Sequence, residues 1–130
     1  MELTIQIDKK NNLRKHEVKG VISVLELKQH LESYYKSSMY GQSLNSLWDL
    51  RDADFSEVKP EQIKKLAEMV GRYWGGPGEA KSALVVSRDL DYGLTRMYEI
   101  ILSTINSNNV RVFRNIRAAE EWMVESDNRT

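Results

Sequence analysis

The segment Ser82-Ala83-Leu84-Val85-Val86-Ser87 constrains this chain most, because its apolar side chains run on without alternating with polar ones. Successive side chains of a strand point to opposite faces, so an unbroken apolar run must be covered on both sides. That is the situation of an interior parallel strand roofed by helices. The rest of the chain supplies such covers. Pro60 suits a first helical position, and Ile63, Leu66, Ala67, Val70 and Trp74 follow at helical spacing until Gly75-Gly76-Pro77-Gly78 stops the pattern. A helix capped by Asp91 carries Leu94, Met97, Tyr98, Ile101 and Ile105, and one capped by Asn115 carries Ala118, Ala119, Trp122 and Met123.

Upstream, Leu3-Thr4-Ile5-Gln6-Ile7 alternates apolar and polar, the polar Asp8 to Asn12 makes a turn, and Leu13 to Ile22 is a second extended run. The pair reads as an antiparallel hairpin. Ser23 followed by Glu26 is a capping box, opening a helix that carries Val24, Leu27, Leu31 and Tyr34 or Tyr35 on one face and runs to about Ser37. Ser46 to Leu50 reads as a strand opening onto the polar loop Arg51 to Ser56, and Val110 to Phe113 as a last strand. The expected fold is an α/β sandwich of about five strands, mostly parallel with an N-terminal hairpin, and four helices. At 130 residues, a single domain over 1–130 is expected.

Nineteen basic and nineteen acidic side chains cancel. Without net positive charge the long-range attraction behind sequence-independent nucleic-acid binding is missing, so no nucleic-acid partner is expected. The absence of cysteine removes disulfides, thiolate metal sites and cysteine nucleophiles. No apolar run approaches the roughly 20 residues of a membrane helix, and Met1-Glu2-Leu3-Thr4 does not begin a signal peptide. A soluble, cytoplasmic protein without membrane insertion is expected.

Open parallel sheets bind ligands beyond the carboxyl ends of their strands. The loops there contain Asp49, Arg51, Asp52, Asp54 and Ser56, then Arg88, Asp89, Asp91 and Tyr92, then Arg114, Asn115 and Arg117. Three aspartates so close together suit Mg²⁺ or a phosphoryl acceptor. A response-regulator receiver, however, needs acidic residues after its first strand, which here feeds a hairpin through Asp8-Lys9-Lys10, so helix capping and surface ion pairs are the better explanation. The Gly75 to Gly78 loop follows a helix and precedes a strand, the reverse of a phosphate cradle. His16 and His30 lack metal-ligand spacing and read as surface residues, so neither a metal nor any other cofactor is expected.

Lys9, Lys10, Arg14, Lys15, His16 and Lys19 make the hairpin basic, which protects an edge strand from aggregation; an acidic partner or nucleic acid is the alternative, disfavoured because interleaved aromatics are missing. Tyr34, Tyr35, Tyr40, Tyr73 and Trp74 gather at helix ends and fit a pocket wall, a self-association surface or ordinary packing. Gly93 in a first helical turn suggests close approach to the backbone. Arg96, one turn beyond Tyr92, is placed to meet an anion or to pair with Asp49, Asp52 or Asp54.

Leu47-Trp48-Asp49-Leu50-Arg51-Asp52-Ala53-Asp54-Phe55-Ser56, Ala83-Leu84-Val85-Val86, Tyr92-Gly93-Leu94-Thr95-Arg96-Met97-Tyr98, Val110-Arg111-Val112-Phe113 and Ala118-Ala119-Glu120-Glu121-Trp122 together resemble the uncharacterised bacterial proteins grouped with STAS domains, often called SpoIIAA-like. The resemblance implies a small sheet with helices and an N-terminal strand pair, and, for the anti-sigma-factor antagonists among them, docking on a kinase that phosphorylates a serine in an Asp-Ser-Ser-Gly-like stretch. Here the matching region is Asp52-Ala53-Asp54-Phe55-Ser56, where only Ser56 bears a hydroxyl, so that switch does not carry over.

The expected function is a non-enzymatic regulatory or protein-interaction module that binds a protein partner or itself through Asp49, Arg51, Asp52, Asp54, Ser56, Tyr92 and Arg96. One alternative is a small-molecule or lipid carrier with a pocket near Tyr92 and Arg96, lined also by Tyr73, Trp74 and Met97, the arginine meeting an anionic head. The other is Mg²⁺-dependent phosphotransfer or hydrolysis at the Asp49, Asp52 and Asp54 loop.

Overall fold

A computed structural model describes residues 1–37, 44–73, 80–105 and 109–125. It opens with the hairpin of β1 (Glu2–Asp8) and β2 (Leu13–Val21), paired antiparallel from Glu2 opposite Lys19 to Asp8 opposite Leu13. The turn is tied by Asp8, whose carboxylate accepts from the backbone and side-chain amides of Asn11. Asn12 takes the left-handed conformation that asparagine tolerates.

β2 then works as a pivot. Its first half pairs parallel with β3 (Asn45–Asp49), and its far end pairs with the two-residue β4 (Ala53–Asp54). The change of partner falls at Gly20, whose φ of +83° favours glycine. β5 (Ser82–Val85) lies between β3 and β6 (Val110–Phe113), both parallel to it, which gives the order β1-β2-β3-β5-β6. The sheet thus has six strands where about five were expected. The extra one, β4, comes from the segment read as a polar loop; two residues are too few to show a strand's period, and the pairing is marked by the amides of Gly20 and Ile22 donating to the carbonyls of Asp52 and Asp54.

Four helices complete the described residues: α1 (Val24–Tyr35), α2 (Pro60–Tyr73), α3 (Asp89–Ile105) and α4 (Ile116–Val124). The Ser23 hydroxyl accepts from the amide of Glu26, and the Asn115 side chain accepts from the amides of Arg117 and Ala118, as their cap positions require. α1 ends at Tyr35 instead of Ser37. α3 starts at Asp89, two residues before the expected cap. The amide of Tyr92 already donates to the carbonyl of Arg88, so Asp91 is a buried first-turn residue and not the cap. Trp74, the Gly75 to Gly78 stop and Tyr40 lie outside the described residues.

β5 is covered on both sides, as its composition demands. Leu47, Ala83 and Val85 face α4, where Ala119 and Met123 close a small core with Trp122 and Phe113. Val18, Leu50, Leu84 and Val110 face the other way, into a larger core with Leu31 of α1, Ile63, Leu66 and Val70 of α2, and Leu94 and Leu102 of α3. Leu102, only 1% exposed, is the deepest apolar contact of α3 and lies one turn beyond Tyr98.

The close approach expected at Gly93 occurs instead at another helical glycine, Gly71. A methyl group on Gly93 meets nothing within 4 Å, so no element approaches that backbone closely. On Gly71 it comes within 2.9 Å of Ile105 Cγ2, a stiff β-branched side chain, so α2 and α3 cross there without room for an alanine. Gly93→Ala is therefore expected to stabilise the fold by about 0.5–1 kcal/mol through helix propensity. Gly71→Ala is expected to destabilise it by roughly 1–2 kcal/mol through overpacking. Urea midpoints of the two variants check this; equal shifts of the same sign contradict the crossing.

Candidate functional site

Two regions contain polar groups in unusual settings. The first is the rim at the carboxyl ends of β3, β5 and β6. Asp49, at the end of β3 and buried, accepts two hydrogen bonds from the Arg51 guanidinium, Nε to Oδ1 at 2.9 Å and Nη2 to Oδ2 at 2.8 Å. Those bonds hold its carboxyl below the ordinary carboxylate range, against the opposing effect of burial. Asp54 accepts from the amide of Ser56, which lowers its pKa too. Asp52 is exposed. Asp49 and Asp54 thus face different donors, and among the described residues no three His, Asp or Glu side chains gather as a metal site would.

Arginines brace the same rim. Arg88 reaches the Ala53 carbonyl at 3.3 Å and the Asp91 carboxylate at 3.3 Å, and Arg114 reaches Asp89 at 2.5 Å and the Ser87 carbonyl at 3.3 Å. Burial pushes the Asp91 carboxyl up, with Arg88 pulling the other way. Tyr92 is half-buried under the Arg114 guanidinium, whose carbon lies 5.6 Å from the ring centroid. Arg96 departs from expectation: it pairs with Glu99 one turn along α3 and not with Asp49, Asp52 or Asp54, because the exposed face of α3 carries it away from the β3 loop.

The second region was not anticipated. A cavity of about 250 Å³ opens between the sheet and helices α1, α2 and α3. Tyr73, Tyr92, Met97 and Arg96 do not line it, so the pocket is not where the sequence placed it; from α3 the wall is Thr95, Tyr98 and Leu102. Most of the wall is apolar, with Val18, Leu31, Leu50, Phe55, Leu66 and Leu84 prominent. Its sheet side includes Ser46 and Ser82, register partners on β3 and β5 whose hydroxyls bond each other at 3.0 Å.

At the β2 side of this cavity sit Arg14 and His16. The sequence placed both on a solvated edge. Residues two apart on a strand share a face, and Val18 belongs to the core, so Arg14 and His16 are carried inward with it, at 8% and 1% exposure. Arg14 Nε donates to His16 Nε2 at 2.8 Å, and its guanidinium carbon lies 4.4 Å from the centroid of the Tyr34 ring. The His16 ring stacks on that of Trp48, its register partner on β3, with centroids 4.0 Å apart and planes 9° from parallel, while Tyr34 meets it edge-on. Burial first, and then the charge of Arg14, push the imidazole pKa down to about 3. The ring is neutral. Burial also raises the Tyr34 phenol and lowers His30. Next to this group Tyr35 and Tyr73 stack with centroids 5.3 Å apart, joining α1 to α2, while Tyr34 and Tyr35 also line the cavity.

The arrangement of strands and helices is that of a SpoIIAA-like fold. An uncharacterised protein of the DUF3478 family from Shewanella loihica PV-4, described as having that fold, superimposes with a TM-score of 0.55 at 16% identity, over 94% of this chain and 92% of the other. No family model matches the chain, and no curated protein does. No helix among the described residues is long and apolar enough to cross a membrane.

The buried histidine has a measurable consequence. Folded His16 stays neutral down to about pH 3, whereas the unfolded side chain takes up a proton near its ordinary value of 6.5. Unfolding therefore binds a proton between these limits, and stability falls as pH drops through the window by up to about 1.4 kcal/mol per pH unit. His16→Phe is expected to be less stable at pH 7, because Arg14 Nε loses its acceptor, and to lose this slope. Urea unfolding at pH 7, 6 and 5 compares the two proteins; parallel slopes contradict a neutral buried histidine.

Proposed function

We propose that the protein is a non-enzymatic binding module whose interior cavity takes a small, largely apolar molecule. The cavity itself supports this reading. About 250 Å³ is roughly eight times the share of one water in the liquid, and its largely apolar wall includes a few placed polar groups, the composition of a ligand chamber. This keeps the carrier reading and moves its site from Tyr92 and Arg96 to the space between the sheet and three helices. Octanol, a neutral probe of suitable size, is expected to raise the melting temperature saturably. At ten times its Kd it adds about 1.4 kcal/mol, roughly 5 °C for a chain of this length. Leu84→Trp, which fills the chamber, should abolish the rise while keeping the circular dichroism of the fold. A rise of the same size in both proteins contradicts binding in the cavity.

A second reading concerns the strand-end rim. Leu90, 67% exposed, stands at the start of α3 among Arg88, Asp89 and Arg114, an apolar point within a charged frame that suits docking of a protein partner or a second copy. Arg51, Asp52, Asp54 and Ser56 would supply the adjoining part of that surface, with buried Asp49 holding Arg51 in place. Sedimentation equilibrium tests the self-association form: a dimer that Leu90→Asp converts to a folded monomer supports it, and a dimer unaffected by Leu90→Asp removes the rim from the interface.

A further inference from the structure

We propose that β1 is a docking edge for a second copy of this chain: two β1 strands pair antiparallel about a two-fold axis at Thr4 and join the two sheets into one. This surface shares no residue with the rim around Leu90.

β1 ends the sheet order, and among the described residues its outward backbone N–H and C=O groups meet no partner. Proteins blunt such edges by keeping them short, by bulges, or by lysine and proline. β1 has none of these: Glu2 to Asp8 is seven residues in unbroken register, without lysine, arginine, proline or glycine. The basic residues read as its protection lie in the turn, Lys9 and Lys10, or on β2, which is inside the sheet between β1 and β3. The opposite edge, β6, is only four residues long and carries Arg111. The sequence of β1 itself favours a second copy as the occupant. Because strand side chains alternate, opposed residues of two β1 copies match in character only when their numbers have an even sum. Centred on Ile5, such a pair sets Glu2 against Asp8 of the other copy twice, a like-charge clash, and centred on Gln6 it sets Leu3 against Lys9. Centred on Thr4, it sets Leu3 against Ile5, Met1 against Ile7, Glu2 against Gln6 and threonine against threonine. That register covers Met1 and Ile7, 37% and 39% exposed, and opposes no like charges. Each copy then gives and receives the same contacts, as a closed two-fold interface requires.

One strand edge is a small interface, so a weak dimer is expected, with a Kd on the order of 10–100 μM. Sedimentation equilibrium of the full chain, from about ten times below that range to ten times above it, measures it. Thr4→Glu is expected to weaken the dimer about tenfold, because the two glutamates meet across the axis and Glu17, opposite Thr4 on β2, adds to the repulsion. Thr4 is exposed, so the variant keeps the circular dichroism of the fold. Mixed in equal amounts with Thr4→Lys, it is expected to regain the wild-type affinity as a heterodimer, since lysine then faces glutamate. Wild type that stays monomeric at the highest concentration overturns the proposal. So does a dimer that Thr4→Glu leaves as tight as before, and if Leu90→Asp breaks that dimer, the interface is the rim. Weakening by Thr4→Glu that Thr4→Lys does not rescue overturns the pairing at Thr4.

Discussion

The strands β3 and β5 must be dry on both faces, and the rest of the molecule follows from that demand. Val85 and Val86 are both wholly buried although they point in opposite directions, so one layer of helix is insufficient. α4 alone serves one face, where Leu47, Ala83 and Val85 meet Ala119 and Met123 in a small, filled core. Three helices serve the other. On that side the sheet presents Ser46 and Ser82 next to each other, and the short side chains leave space that the helices do not fill. The cavity thus comes from side-chain size at two register partners under a wide helical roof.

The same face accommodates a buried arginine and a buried histidine, a local contradiction of the rule that cores are apolar. Each group finds neighbours that suit it. Arg14 donates to His16 and lies over Tyr34, and His16 stacks on Trp48. A neutral imidazole is the form that low dielectric favours, and the adjacent guanidinium reinforces it. Such conflicts between local chemistry and burial concentrate where a protein binds something, which makes this corner more informative than the ion pairs of the rim. On the rim Asp49, Asp54 and Asp91 meet an arginine or amide two or three residues away, while Arg88 to the Ala53 carbonyl and Arg114 to Asp89 and the Ser87 carbonyl tie loops together across the strand ends.

Much of the architecture could be read along the chain because it depends on local signals. The alternation of Leu3, Ile5 and Ile7, the caps at Ser23 and Asn115, Pro60 at the start of α2 and the apolar run at β5 each leave a mark within a few residues. The corner of buried Arg14 and His16 leaves almost none. In Leu13-Arg14-Lys15-His16-Glu17-Val18 no alternation marks the inner face, and the high charge suggests solvent. One clue existed: Val18 is the apolar position of that run nearest the core, and counting back by twos reaches His16 and Arg14. The expectations at Gly93 and Arg96 failed for a related reason. A helix shows its period in sequence, but which neighbour crosses it, and therefore which glycine is crowded, depends on the partner helix.

By itself the sequence determined the class of fold, the order of its elements and the need to cover a central strand twice, since these rest on periodicity, capping and turn chemistry that act over short separations. Only the tertiary structure decided where the cavity lies, that β4 joins the sheet, that Gly71 and not Gly93 is the tight crossing, and that Arg14 and His16 are interior. Those outcomes depend on pairing between residues far apart in the chain, such as His16 beside Trp48 and Ser46 beside Ser82, and on volumes left over when whole layers pack. No local pattern encodes a volume that several separate segments leave between them.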